Sequence, residues 1–155
     1  MELKEGSKVP AFLLDSSNGK KIRLSEIKTD NLVIYFYPRD DTPGCTNEAI
    51  DFSKLKNKFM KLNAEIYGIS PDPIEKHIKF INKYKLKITL LSDTENKIAQ
   101  KYGVWKEKSL YGKKYMGIER STFLISKQRK IIKCWKKVKV RGHAEEVYNE
   151  LISYK

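Results

Sequence analysis

Leu32-Val33-Ile34-Tyr35-Phe36-Tyr37 is an unbroken apolar run that Pro38 closes. The run has the length of a strand, and its lack of polar alternation means that both faces need cover. A chain carrying such a strand is pushed toward a sheet enclosed by helices.

The flanking segments agree. Phe12-Leu13-Leu14-Asp15 and Lys21-Ile22-Arg23-Leu24 surround Ser16-Ser17-Asn18-Gly19, and Asn-Gly between such segments predicts a hairpin. From about Cys45 the period changes, and Ala49, Phe52, Leu55, Phe59 and Leu62 form the apolar stripe of a helix. Ile66 to Ser70 predicts the next strand. Asp72 before Pro73 reads as an N-cap followed by proline at the first helical position. That helix is expected to bury Ile74, Ile78, Ile81 and Tyr84 and to leave His77 exposed. A strand over Thr89 to Ser92 and a short helix from Glu95 to Tyr102 follow. After an irregular stretch come strands over Ser121 to Ile125 and Ile131 to Val138. A last helix from His143 to Tyr154 has Ala144, Val147 and Leu151 on one face. This order predicts an α/β fold with a mixed sheet and helices on both faces. Without a linker or repeat, the expectation is one domain over residues 1–155.

Several function classes fall away. No apolar run approaches the ~20 residues of a membrane span, and the N-terminus lacks an apolar signal region, so a cytoplasmic location is expected. The 2 cysteines, Cys45 and Cys134, make neither a disulfide scaffold, a C-x-x-C pair nor a zinc cluster. The histidines, His77 and His143, show no metal-ligand spacing, and no metal or other cofactor is expected. Lys and Arg total 32 and the formal net charge is +13. Yet the basic stretch from Lys127 to Arg141 lacks the interleaved aromatics of a single-strand binding platform. The scattered lysines read as a solvated surface rather than a nucleic-acid site.

Chemistry concentrates in Tyr37-Pro38-Arg39-Asp40-Asp41-Thr42-Pro43-Gly44-Cys45-Thr46-Asn47-Glu48-Ala49. A buried strand ends, a short loop follows, and Cys45 falls at the start of a helix. Helix N-termini present open N–H groups and partial positive charge, which favour an anion, and thiolate is the nucleophilic form of cysteine. Gly44 permits close approach of a small ligand, and Thr42 brings a hydroxyl three residues before the sulfur. Asp40 and Asp41 are expected to shape the loop. Arg39 is expected to add positive potential.

The arrangement P-x-x-x-T-x-x-C formed by Pro38, Thr42 and Cys45 resembles the active-site signature of the peroxiredoxins. YPRDDTPGCTNEA is similar to the bacterioferritin-comigratory (peroxiredoxin Q) branch. The resemblance continues in GSKVPAF, GISPD, YGVWKEKS and GKKYMGIERSTFLI, in order along nearly the whole chain. It implies a thioredoxin-like fold with an N-terminal β-hairpin extension. It also implies a thiol-dependent peroxidase that reduces hydrogen peroxide and organic hydroperoxides through a sulfenic acid at Cys45. By position, Thr42 resembles the hydroxyl that hydrogen-bonds the peroxide, Pro38 the residue that shields the thiolate, and Arg120 the active-site arginine. Glu48 resembles the acid that holds that arginine. Gly44, Thr42 and Arg120 would bind the substrate.

One departure matters. Many members of that branch carry a resolving cysteine five residues after the reactive one, where this chain has Ile50. Cys134 reads as a small buried residue in a strand, and its alternative reading is a resolving thiol. The expectation is therefore a one-cysteine cycle in which thioredoxin, glutaredoxin or a small thiol reduces Cys45, in a monomer. A thioredoxin-type disulfide reductase would need a second nearby cysteine. A basic binding module or thiol-linked chaperone with nonspecific nucleic-acid association is the alternative from another class.

Overall fold

The structure is a computed structural model and describes residues 3–155. Its elements are β1 (Leu13–Ser16), β2 (Lys21–Arg23), β3 (Asn31–Phe36), α1 (Pro43–Lys61), β4 (Ala64–Ser70), α2 (Ile74–Tyr84) and β5 (Thr89–Ser92). They continue with α3 (Lys97–Lys101), β6 (Trp105–Leu110), β7 (Lys113–Ile118), β8 (Ser121–Ile125), β9 (Ile131–Lys136) and α4 (His143–Tyr154). Seven strands form one sheet in the order β2-β1-β5-β4-β3-β8-β9. β3, β4 and β5 run parallel, while β8, β9 and the β1–β2 hairpin pair antiparallel on either side.

The steps β3-α1-β4-α2-β5 all move the same way across the sheet, so right-handed crossovers leave α1 and α2 on one face. The terminal helix α4 joins them. Val33 and Tyr35 of β3 meet Phe52, Phe59, Phe80 and Val147 there. Leu32, Ile34 and Phe36 point to the other face, against Phe12, Ile98, Ala99 and Phe123. Every residue of β3 is buried, which is why its sequence does not alternate. Each apolar side chain of β3 contributes roughly 1.5–3 kcal/mol by leaving water. The one polar residue, Asn31, is buried with its amide donating to the Ile125 carbonyl at 3.1 Å, so a polar group without such a partner would be destabilising on either face.

Four expectations need correction. The stretch after α3 is not irregular: β6 and β7 form a separate two-stranded hairpin, with Lys108 opposite Tyr115 and Leu110 opposite Lys113. Tyr111 and Gly112 both have positive φ (53° and 77°), as a two-residue type I′ loop requires. Second, α2 begins at Ile74 with Pro73 as its N-cap, and Asp72 is used elsewhere. Third, α2 turns part of the expected face outward: Ile78 is 42% exposed, Ile81 and Tyr84 pack partly buried against the core as expected, and His77 and Phe80 are the fully buried residues. His77, expected on the surface, is fully enclosed because its two ring nitrogens have partners on other elements. β9 also stops at Lys136 rather than Val138.

Candidate active site

α1 opens at Pro43, which has no N–H to satisfy, with Thr42 as N-cap in extended backbone. The Thr46 N–H donates to the Thr42 carbonyl at 2.8 Å, which leaves the N–H groups of Gly44 and Cys45 as the donors at this helix end. The Thr42 hydroxyl does not cap the helix. It donates to the Arg39 carbonyl at 2.9 Å. Cys45 lies in the first turn, beyond the carboxyl end of β3, and is 1% exposed.

Arg120 arrives from the neighbouring strand. β8 pairs antiparallel with β3, placing Ser121 opposite Phe36, so the residue before β8 reaches the end of β3 where α1 starts. Its guanidinium donates from Nη2 to Cys45 Sγ at 3.1 Å and from Nη1 to Glu48 Oε1 at 2.6 Å. Gly44 makes room for it: a Cβ there would stand 3.3 Å from Arg120 Nη2. Burial opposes the Arg120 charge, but Glu48 and Cys45 outweigh it and hold the arginine above its ordinary pKa. Glu48 is 1% exposed. Burial pushes its carboxyl up to about 7, against the charge and hydrogen bond of Arg120. Its Oε2 is buried and has no hydrogen-bond partner among the described residues, as is true of the Tyr35 hydroxyl.

The fork spans the Cys45 sulfur and a Glu48 carboxyl oxygen with two N–H donors of one planar cation, a geometry that fits arginine and not lysine. It brings three sequence-selected residues together. Pro38 is half-buried at the bend after β3, and Arg39 is exposed on the same loop. Cys134 lies elsewhere. It sits on β9 opposite Phe123 and packs with the core on the face away from Cys45. Neither cysteine is in a disulfide. A cavity of about 250 Å³ lined by Thr29, Lys56, Asn63 and Lys87 opens where β4 begins, at the opposite end of the parallel strands.

Two features escaped the sequence. Lys108 of the β6–β7 hairpin is a second cation coupled electrostatically to the site: burial and Arg120 lower its pKa, while Cys45 and Glu119 raise it. The loop itself is tied to α2. Asp41 accepts from Lys83 and from the Tyr84 hydroxyl, and Asp40 is held by Tyr37 and His77. Asp40, Asp72 and His77 each offer one ligand-type atom within 4.8 Å of the others. Those atoms are already committed: His77 Nδ1 to Asp40, and Asp72 Oδ2 to the Asp40 N–H and the Ser70 hydroxyl. The cluster is a satisfied hydrogen-bond network rather than an ion site.

Comparison with known proteins agrees with this geometry. Residues 6–134 match the AhpC/TSA family. Peroxiredoxin Bcp of Bacillus subtilis (strain 168) is 48% identical over 151 residues, covering 97% of this chain and 96% of that protein. A structure of Xanthomonas campestris Peroxiredoxin Q superposes with TM-score 0.88 at 42% identity, covering 92% of this chain and 90% of that one. A Xylella fastidiosa PrxQ variant gives TM-score 0.94 at 36% identity, covering 99% and 98%. The thioredoxin-like fold expected from the resemblance is therefore present, and the binding-module alternative gains no support. Among the described residues no helix is long and apolar enough to cross a membrane. The chain belongs to the AhpC/TSA family, as a peroxiredoxin of the Bcp/peroxiredoxin Q type and hence a thiol-dependent peroxidase.

Proposed function

We propose that Cys45 is the nucleophile of this peroxidase and that Arg120, Thr42, Gly44, Glu48 and Pro38 form its site. The observation that carries the reading is the Arg120 fork, 3.1 Å from Cys45 Sγ and 2.6 Å from Glu48 Oε1. The thiolate attacks the terminal oxygen of a hydroperoxide, ROOH. The S–O bond forms as the O–O bond breaks, sulfur loses two electrons, and RO⁻ leaves to take a proton as ROH. An ordinary thiol of pKa ~8.5 is about 3% ionised at pH 7, so complete ionisation gains only roughly 30-fold. The larger share comes from donors aimed at the separating oxygens. Arg120 and the amides of Gly44 and Cys45 are those donors. Thr42, whose own proton goes to the Arg39 carbonyl, presents lone pairs that accept from the peroxide O–H. Pro38 walls the site, and Glu48 orients Arg120.

The substrates are hydrogen peroxide and alkyl hydroperoxides. Alkyl peroxide reduction is the activity named for the Xanthomonas campestris bacterioferritin comigratory protein, which is 41% identical to this chain. An external thiol, from thioredoxin, glutaredoxin or a small molecule, condenses with the Cys45 sulfenic acid to release water. A second thiol then frees Cys45. Cys134 takes no part, since the sheet lies between the two sulfurs. The chain acts as a monomeric single domain in the cytoplasm.

The test is peroxide consumption with dithiothreitol by the wild type, Cys45→Ser and Cys134→Ser. Loss of activity in Cys45→Ser alone is expected. Loss in both would assign resolution to Cys134 and overturn the one-cysteine cycle.

A further inference from the structure

His77 is, with Phe80, one of the two fully buried side chains of α2, and the peroxidase chemistry above makes no use of it. Its Nε2 lies 2.9 Å from the Leu91 carbonyl, which only accepts, so Nε2 carries hydrogen. Its Nδ1 lies 2.6 Å from Asp40 Oδ2 with one proton between them. Asp40 Oδ1 accepts the Tyr37 hydroxyl at 2.6 Å. Both side chains of the His77–Asp40 pair are 0% exposed. A polar pair enclosed this completely is retained in a core only when its geometry is tightly determined.

What that geometry determines is a single peptide unit. The Asp40 N–H donates to Asp72 Oδ2 at 2.7 Å. The carbonyl of the same unit, from Arg39, accepts the Thr42 hydroxyl at 2.9 Å. The Arg39–Asp40 peptide plane is thus held at its N–H by the β4–α2 junction, and beside it His77 and Tyr37 hold the Asp40 side chain. The rotamer of Thr42 follows from where that plane stands.

We infer that His77 is a positioning residue for peroxide reduction, acting through Asp40 and the Arg39 carbonyl to orient the Thr42 hydroxyl. The inference rests on the assignment of Cys45 and Thr42 made above. It does not concern the sulfur, which Arg120 holds independently.

Two variants separate the two nitrogens of His77. Asn places an amide near the Nδ1 position, where it can still meet the Asp40 carboxyl. Gln places its amide near Nε2, keeps the Leu91 contact and loses Asp40. Rapid-mixing kinetics of Cys45 oxidation by hydrogen peroxide should show His77→Gln slowed roughly ten- to a hundredfold, with His77→Asn close to wild type. Alkylation of Cys45 by iodoacetamide, which needs no Thr42, should be unchanged in both. In the background of Thr42→Val, His77→Gln should cause no further loss, because its effect passes through the missing hydroxyl. Equal slowing of alkylation and oxidation, or losses that multiply with Thr42→Val, would overturn the inference and leave His77 a packing residue. Should His77→Gln fail to fold, Tyr37→Phe removes one hydrogen bond from the same carboxylate and must show the same pattern in smaller degree. A wild type whose Cys45 is not oxidised by peroxide would instead sink the underlying assignment, and a Cys45 that reacts while His77→Gln equals wild type would sink this one alone.

Discussion

Glu48 and Arg120 meet through a single 2.6 Å hydrogen bond to Oε1, while Glu48 Oε2 is buried without a partner among the described residues. The carboxyl is therefore half-satisfied, and burial lifts it to about 7 from 4.5. Between those values the folded protein holds a proton that the unfolded chain has released, so stability is greatest below the window and falls as pH rises through it. The full effect is about 3 kcal/mol. Urea unfolding at pH 5 and pH 7.5 should show Glu48→Gln gaining stability relative to wild type at the higher pH. Parallel behaviour at both pH values would refute the shift.

His143 has the opposite slope. Burial lowers it from 6.5 to about 4, with Arg120 adding to the lowering and Glu146 opposing it. Its Nε2 stands 2.7 Å from the Thr122 hydroxyl, and its ring packs edge-on against Phe52 and Trp135. The unfolded chain takes up a proton below 6.5 that the folded protein refuses, so this contribution to stability is lost as pH falls toward 4. His143→Gln, which can still meet Thr122, should remove that part of the acid sensitivity. An unchanged difference between variant and wild type from pH 7 to pH 4.5 would count against it.

Arg120→Lys keeps a charge but cannot span Cys45 and Glu48 with a fixed fork. The second-order rate of Cys45 oxidation should fall roughly a hundredfold, the usual effect of losing an aligned donor. A rate within threefold of wild type would mean that charge alone suffices.

Gly44→Ala should divide stability from activity. Alanine is worth up to about 1 kcal/mol over glycine inside a helix. Its Cβ, however, would meet Arg120 Nη2 at 3.3 Å, so the guanidinium must shift by a few tenths of an ångström against its hydrogen bonds to Cys45 and Glu48. The variant should melt no lower than wild type and oxidise several-fold more slowly. Wild-type kinetics would show that the fork tolerates the displacement.

Gly68 marks a tighter contact on β4. A Cβ there would fall 2.7 Å from Tyr35 Cζ and 2.9 Å from Leu90 Cδ2, and Tyr35 is stacked on Phe52 at 4.8 Å. Gly68→Ala should destabilise by about 1–3 kcal/mol. Tyr35→Phe, which removes a buried hydroxyl that has no hydrogen-bond partner among the described residues, should be neutral or stabilising. Chemical denaturation of each variant reads both effects.

The legible parts of this chain were those where pattern and burial coincide. β3 announces itself because both faces are apolar, and α4 because Ala144, Val147 and Leu151 share a face that is buried as expected. The β6–β7 hairpin did not, since its exposed strands carry lysines where alternation would put apolar groups, leaving only Tyr111-Gly112 as a signal. α2 misled through its isoleucines. A buried histidine needs partners, and those of His77 are 37 residues upstream and 14 downstream, beyond the reach of local periodicity. The fork joining Arg120 to residues 72 and 75 positions earlier is likewise a product of the β3–β8 pairing. No spacing rule finds it, and only the family resemblance selected that arginine among the basic residues.

With Cys45 as the proposed nucleophile, its burial would set a ceiling on how fast the enzyme can cycle. A hydroperoxide is small enough to enter a site that leaves the residue 1% exposed, but a thiol carried on a protein is not. In a one-cysteine cycle the first turn of α1 must therefore loosen before the sulfenic acid can be reduced. Raising the reductant concentration should speed turnover only to a plateau, and the height of that plateau is the opening rate of a helix end. Different protein-borne thiols would then share one maximal rate, a clock that belongs to the peroxidase rather than to its electron donor.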